Sequence, residues 1–261
     1  MATAFYHTVM LGFVAAWLTG CSGASQMPSD GPQTADAVLA TALAKPLPNT
    51  VAGMARLDSY VKGEARKADL LVIVRRPAAV QMQALTPTSD LIAILSTDGQ
   101  RFISFERGGA ECHTGLACPQ NLARLLPIAL PPQQLAEALL GRPPLLDLPT
   151  KTLRWDEAKS AYRIDISGPG SSRRQEVYVL PRSFRFLGTV LYEGAARVGS
   201  IAYDGAVGTD GPPKTFRFRS KAQDLDVSVT LRDVEVNGAV GDDVFDVQCP
   251  QGARVVELPC P

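Results

Sequence analysis

Pro119–Pro144 reads PQNLARLLPIALPPQQLAEALLGRPP, the clearest helical stretch in a chain that otherwise alternates like strands. Leu122, Leu125 and Leu126 repeat at helical spacing; Pro131-Pro132 restarts the chain, and Leu135, Ala138 and Leu139 form a second set. Each predicted helix has one apolar stripe and a polar side, Gln120 and Arg124 in the first, Gln133, Gln134 and Glu137 in the second. Both are therefore expected to lie on a surface that they cover. Gly141 stands where a left-handed residue closes a helix, and Arg142-Pro143-Pro144 bars its continuation. The arrangement predicts a short helical lid laid over a sheet.

On either side of this lid the pattern is that of strands. Thr50–Val61, Arg66–Arg76, Ala79–Leu85, Leu91–Ser96 and Gln100–Glu106 precede it, with Asp98-Gly99 as a hairpin turn. Thr152–Trp155, Ala161–Ile166, Gln175–Leu180, Phe184–Tyr192, Arg197–Tyr203, Thr215–Arg219 and Leu225–Val236 follow it. Short connections predict antiparallel neighbours. Val80, Met82 and Ala84 alternate with Gln81 and Gln83, which predicts a strand with one wet face, whereas Leu70–Val74 is apolar on both faces and belongs in the centre or under the lid. In Leu225–Val236 the apolar residues change parity after Leu231, which requires a β-bulge near Asp233. Strands, two helices, then strands predict a mainly β fold: a half-open antiparallel barrel or curled sheet with a helical insertion.

The chain has 26 acidic and 26 basic residues, and none of them precedes Asp30. That balance argues against a nucleic-acid partner held by bulk charge. Residues 1–20 carry an apolar run from Val9 to Leu18, too short to span a bilayer comfortably, and read as a secretory signal. Leu18-Thr19-Gly20-Cys21 matches the lipobox of bacterial lipoproteins, in which the cysteine thiol is diacylated, the signal is cut before it and the new amine is acylated. Residues 21–33 are rich in Ser, Gly and Pro and read as a lipidated flexible tether, with residues 34–261 as one domain. A helix capped by Thr34 is predicted to open that domain. Ser22 behind the cysteine resembles the sorting signal that sends lipoproteins to the outer membrane, facing the periplasm.

Cys112, Cys118, Cys249 and Cys260 are four thiols in a chain addressed to an oxidising compartment. Proximity in sequence predicts the disulfides Cys112–Cys118 and Cys249–Cys260. A zinc site joining these thiols to His113 is the sharper alternative, but no CxxC pair supports it. Catalytic signals are thin. His113 is the one histidine beyond the signal, and the chain contains no G-x-S-x-G elbow, P-loop or dinucleotide fingerprint. The expectation is a protein without enzymatic activity, cofactor or metal.

Leu135-x3-Leu139-Leu140-Gly141-Arg142-Pro143, behind the Pro-Gln-Asn-Leu-Ala-Arg-Leu-Leu run and a strand ending in Ala84-Leu85-Thr86-Pro87, resembles the LolA/LolB-type lipoprotein-localisation family. The strand at Tyr203, Pro212-Pro213 leading into Phe216-Arg217-Phe218, and Asn237–Phe245 are similar too, so the resemblance runs from about Ala35 to Val247. It implies a half-open barrel whose lidded apolar hollow receives the acyl chains of lipoproteins. With lipidation at Cys21 it implies the membrane-anchored, LolB-type receptor. That receptor projects a bulky apolar residue from the loop matching Thr86–Asp90, where this chain has Thr-Pro-Thr-Ser-Asp.

Leu70, Val72, Val74, Val80, Met82, Phe184, Phe186, Phe216 and Phe218 are the candidate lining of the hollow, with Leu122, Leu125, Leu126, Leu135 and Leu139 as the inner side of the lid; the alternative is that the same residues fill a solid core. The expected function is binding of acyl chains or lipoproteins at the outer membrane. The alternative is a structural or assembly lipoprotein that docks an envelope protein on its sheet or lid.

Overall fold

The computed structural model describes residues 25–124 and 129–260. In chain order they form α1 (Ala35–Ala44), β1 (Thr50–Val61), β2 (Glu64–Arg75), β3 (Ala79–Leu85), β4 (Leu91–Thr97), β5 (Arg101–Glu106) and β6 (Glu111–Leu116). The helices α2 (Pro119–Leu122) and α3 (Pro132–Leu139) come next. The second strand set is β7 (Thr150–Asp156), β8 (Ala161–Ser167), β9 (Arg173–Val179), β10 (Phe186–Glu193), β11 (Ala196–Asp204), β12 (Thr215–Ser220), β13 (Leu225–Val236) and β14 (Arg254–Leu258). The signal segment, Cys21, Leu125 and Leu126 lie outside the described residues.

The strands make one curled sheet in the order β14-β6-β5-β4-β3-β2-β1-β13-β12-β11-β10-β9-β8-β7, open at its β14 and β7 edges. Two antiparallel meanders, β1–β6 and β7–β13, are thus joined at a single seam, β1 against β13. At that seam Gly53 pairs with Val234 and Ala55 with Leu231, so β13 carries one more residue than β1 between the two pairs. This is the bulge that the parity change near Asp233 requires.

Because β6 and β7 lie at opposite sides of the sheet, the chain between them must cross a whole face. The 117–149 connection does so, and it contains the lid. Leu122, Leu135, Ala138 and Leu139 are buried with the inward residues of β1–β4 in one apolar core. α3 ends in a Schellman cap: Arg142 N–H donates to Glu137 O at 2.9 Å and Gly141 N–H to Ala138 O at 3.1 Å, with Gly141 at φ +104°. Arg142 then donates from its guanidinium to Leu43 O at 2.8 Å and Lys45 O at 3.1 Å, tying the lid to the carbonyl end of α1. α1 itself starts as expected, with Thr34 Oγ1 accepting from Ala37 N–H at 3.2 Å.

Four expectations are corrected. The disulfides are Cys112–Cys249 and Cys118–Cys260, not the sequence neighbours Cys112–Cys118 and Cys249–Cys260. Proximity misled because the tail after β13 travels across the convex face and returns as β14, parallel to β6, which brings residues far apart in sequence side by side. With all four thiols paired, none is free to join His113 at a metal. Gln81 is not wet either: it is 4% exposed, and its amide donates to Val244 O in that tail, while Ser96 Oγ donates to Phe245 O at 3.0 Å. The tail's backbone carbonyls satisfy the polar face of β3 and β4. The strand expected from Phe184 starts at Phe186; Phe184 sits at φ +52° in the preceding turn, where Phe184 N–H donates to Leu180 O at 3.1 Å. Its ring instead stacks on Tyr162, with centroids 6.2 Å apart. Finally, β6 and β14 were not anticipated, and the first lid helix is a single described turn.

Candidate functional site

The inner surface of the sheet is not uniform. Over β1–β3 it is filled: Leu70, Val72, Val74, Val80 and Met82 are each no more than 2% exposed. Between Val72, Val74 and Phe216 on the sheet and Leu139 and Leu140 on the lid only about 10 Å³ remains, roughly the space of one water. Each such side chain contributes about 1.5–3 kcal/mol by its burial. These residues hold the lid down.

Beyond α3 the surface opens. Between the strap segments Ala129–Pro131 and Pro144–Leu146 and the inner side of β9–β12 lies a cleft of about 460 Å³, within the size range of small-molecule sites, roughly 300–1,000 Å³. Leu130, Leu145 and Leu146 form its roof and Leu191, Ile201 and Phe218 its apolar floor. Gln175, Thr189 and Ser220 add a few polar atoms, and Arg173 stands among the lining residues. Of the nine residues expected to line a hollow, only Phe218 borders this space. Phe186 and Phe216 are buried in the shared core, 7% and 2% exposed, and Phe184 packs against it.

The cleft is roofed because of one side chain. Gln175 on β9 accepts from Leu146 N–H through Oε1 at 2.8 Å and donates through Nε2 to Pro144 O at 2.8 Å. Proline cannot supply a further N–H, and the extended strap has no sheet partner of its own, so the buried amide does that work. Replacing Gln175 by Leu is expected to cost about 1–3 kcal/mol and to speed hydrogen exchange at Leu146 selectively, read by mass spectrometry or NMR; unchanged exchange there would contradict the clamp. The sequence signal for the cleft is that four inward positions of β9–β12 are polar or small (Gln175, Thr189, Gly199, Ser220) among apolar ones, where those of β2 are Leu70, Val72 and Val74.

Behind the cleft, on the convex face, Glu176 is 6% exposed. It accepts from Arg163 at 2.7 Å, Arg174 at 3.1 Å, Tyr178 at 2.8 Å and Tyr192 at 3.2 Å. Burial alone pushes this carboxyl upward, but the hydrogen bonds from Tyr178 and Arg174, the charge of Arg163 and the bond from Tyr192 outweigh it and hold it below the usual carboxylate range. Its contribution to stability is therefore present above the unfolded value of about 4.3 and is lost as pH falls through the lower folded value. Glu176→Gln is expected to destabilise the protein by about 1–3 kcal/mol at neutral pH and to flatten the loss of stability below pH 4–5 in acid titrations followed by circular dichroism. An equally steep acid limb in the variant would contradict this assignment.

At the other end of the sheet His113 lies between Glu111, 3.1 Å from Nε2, and Arg124, 3.3 Å away, in a polar recess with Ser104 and Glu106. These contacts join β6 to the start of the lid. Among the described residues no group of His, Cys, Asp and Glu is placed to hold a metal ion, and no helix is long and apolar enough to cross a membrane.

A large half-open curled sheet, crossed on one face by a connection that carries short helices, is the LolA-like fold. The chain is similar to a LolA superfamily protein from Nitrosomonas europaea, with a TM-score of 0.53 and 13% identity over 83% of this chain and 99% of that one. A DUF1329 family protein from Desulfovibrio piger is similar too, with a TM-score of 0.56 and 8% identity over 80% of this chain and 94% of that one. At such identities the likeness is one of fold. No family model and no curated protein sequence matches the chain.

Proposed function

We propose that this chain is a lipid-anchored envelope protein that binds acyl chains, of a lipid or of a lipoprotein, in the cleft between its strap and β9–β12. The observation that carries the reading is the roofed, mostly apolar space of about 460 Å³, beside a lid that is packed solid against β2 and β3. Burial of a chain there is worth about 0.8 kcal/mol per methylene, and the polar atoms of Gln175 and Thr189 are already engaged, with Leu146 and Pro144 and with Glu176 O, so they add no desolvation cost. The two disulfides support an oxidising compartment such as the periplasm. The lipobox at Leu18–Cys21 supports anchoring through Cys21, with Ser22 favouring the outer membrane. The LolA-like fold supports a place in lipoprotein localisation, as a binding protein without catalysis. Thr86–Asp90 is a polar turn stitched by Thr86, Thr88 and Asp90, so membrane insertion through that loop is not part of the proposal.

The test is displacement of a fluorescent fatty acid from the purified chain by an acylated lipopeptide. Competition by the acylated but not the unacylated peptide is expected, and Ile201→Trp, which fills the floor of the cleft, is expected to weaken binding at least tenfold. Equal binding by the Ile201→Trp variant, or no binding by the wild type, would remove the proposal.

A further inference from the structure

We propose that the convex face of β9–β12, behind the cleft, carries a separate binding site for a phosphate oxyanion. Tyr178, Gly188, Ala202 and Arg217 lie opposite one another on four successive strands. The two small residues in that row leave a depression of about 130 Å³. Gly188 cannot be larger, since a Cβ there would stand 2.1 Å from Ile201 O, so the hollow is fixed by backbone geometry at the β10 bulge.

Its charged lining residues are Lys159, Arg197, Arg217 and Arg219, and no carboxylate lines it. The carboxylates within reach of these cations are accounted for. Asp226 receives both Arg217, at 2.5 Å, and Arg219, at 2.9 Å, and Asp156 receives Lys159 at 3.2 Å. Glu176 is consumed by Arg163, Arg174 and the two tyrosines. Four cations against Asp226 and Asp156 leave a surplus of two on a chain whose charges balance overall. Among the described residues Arg197 has no carboxylate partner; its guanidinium donates to Ser200 Oγ at 2.8 Å and is otherwise exposed. Arg217 and Arg219 hold Asp226, so the Arg197 guanidinium is the fork left for a ligand, and surplus positive charge around a small recess favours a compact, multiply charged tetrahedral anion. The phosphate has two sources, the headgroup of an anionic lipid or free phosphate.

The test uses the full chain purified in mild detergent. Inorganic phosphate is titrated by calorimetry, and flotation is measured with phosphatidylcholine vesicles containing either no phosphatidylglycerol or about a third of it. Arg197→Gln is expected to weaken binding about fivefold, the effect of removing one cation near an anionic surface, and Ala202→Glu, at an exposed position, at least tenfold. Ala202→Ser, which keeps the recess, is expected to bind like the wild type and controls for folding. Saturation by inorganic phosphate would support the site with the free anion as ligand. Flotation that rises with phosphatidylglycerol and falls back on adding phosphate would support it with a lipid headgroup. No response to phosphate and no gain in flotation from phosphatidylglycerol, or responses equal in wild type, Arg197→Gln and Ala202→Glu, would overturn it.

Discussion

Replacing all four of Cys112, Cys118, Cys249 and Cys260 by alanine is expected to leave the protein largely unfolded near neutral pH, whereas removing either disulfide alone is not. The bonds are 137 and 142 residues apart in sequence, and they tie the same two segments, β6 with the lid entry and the tail. Whichever closes first restricts a loop of well over a hundred residues, worth about 5 kcal/mol on the chain-entropy scale. The second then closes only a small ring, Cys112 to Cys118 and Cys249 to Cys260, worth about 3 kcal/mol. Loss of either pair should thus cost about 3 kcal/mol and loss of both about 8, against a typical total of roughly 5–15 kcal/mol. Urea unfolding of the three variants reads the non-additivity. Peptide mapping without reductant should recover Cys112–Cys249 and Cys118–Cys260 cross-links; a Cys112–Cys118 peptide would contradict the topology of the tail.

Gly53→Ala is expected to be among the most damaging single changes in the sheet. At the seam of the two meanders a Cβ on Gly53 would stand 2.1 Å from Asp233 O and 2.7 Å from Val234 Cα, and its φ is +150°. Backbone atoms cannot swing aside like a side-chain tip. Strain and overpacking together are expected to cost about 3 kcal/mol or more. Gly63→Ala is the matched comparison: its φ is +88° with nothing within 4 Å of a Cβ, so only the left-handed backbone penalty of about 1–2 kcal/mol applies. Equal denaturation midpoints for the two variants would show that the seam tolerates a side chain and that the bulge in β13 does not set its register.

The local rules of the chain were legible in the sequence where packing and local pattern agreed. β1 and β3 have the bounds read from the sequence, Thr34 caps α1, Gly141 closes α3, and the parity change after Leu231 is a register shift in the structure. What stayed hidden was long-range. Nothing local in Glu111–Leu116 or Arg254–Leu258 marks a parallel pair of edge strands, and that pair decides the disulfide connectivity. The tail over Gln81 and Ser96 is equally invisible, because a polar face covered by backbone carbonyls has the same composition as one covered by water. The position of the cleft was hidden for a related reason. The most apolar inward residues, Leu70, Val72 and Val74, are those the lid packs against, and the space lies where Thr189, Gly199 and Ser220 interrupt the apolar inward face beneath the strap. Apolar patterning locates contact; gaps in that pattern locate room.

Photolabelling locates a bound acyl chain directly. A fatty acid carrying a diazirine near its methyl end, bound to the full chain and activated by light, is expected to mark peptides containing Leu145–Leu146, Leu191 and Ile201, with labelling suppressed in Ile201→Trp. Labelling confined to the peptides of β2 and β3, around Leu70, Val72 and Met82, or scattered label insensitive to Ile201→Trp, would contradict the cleft as the site.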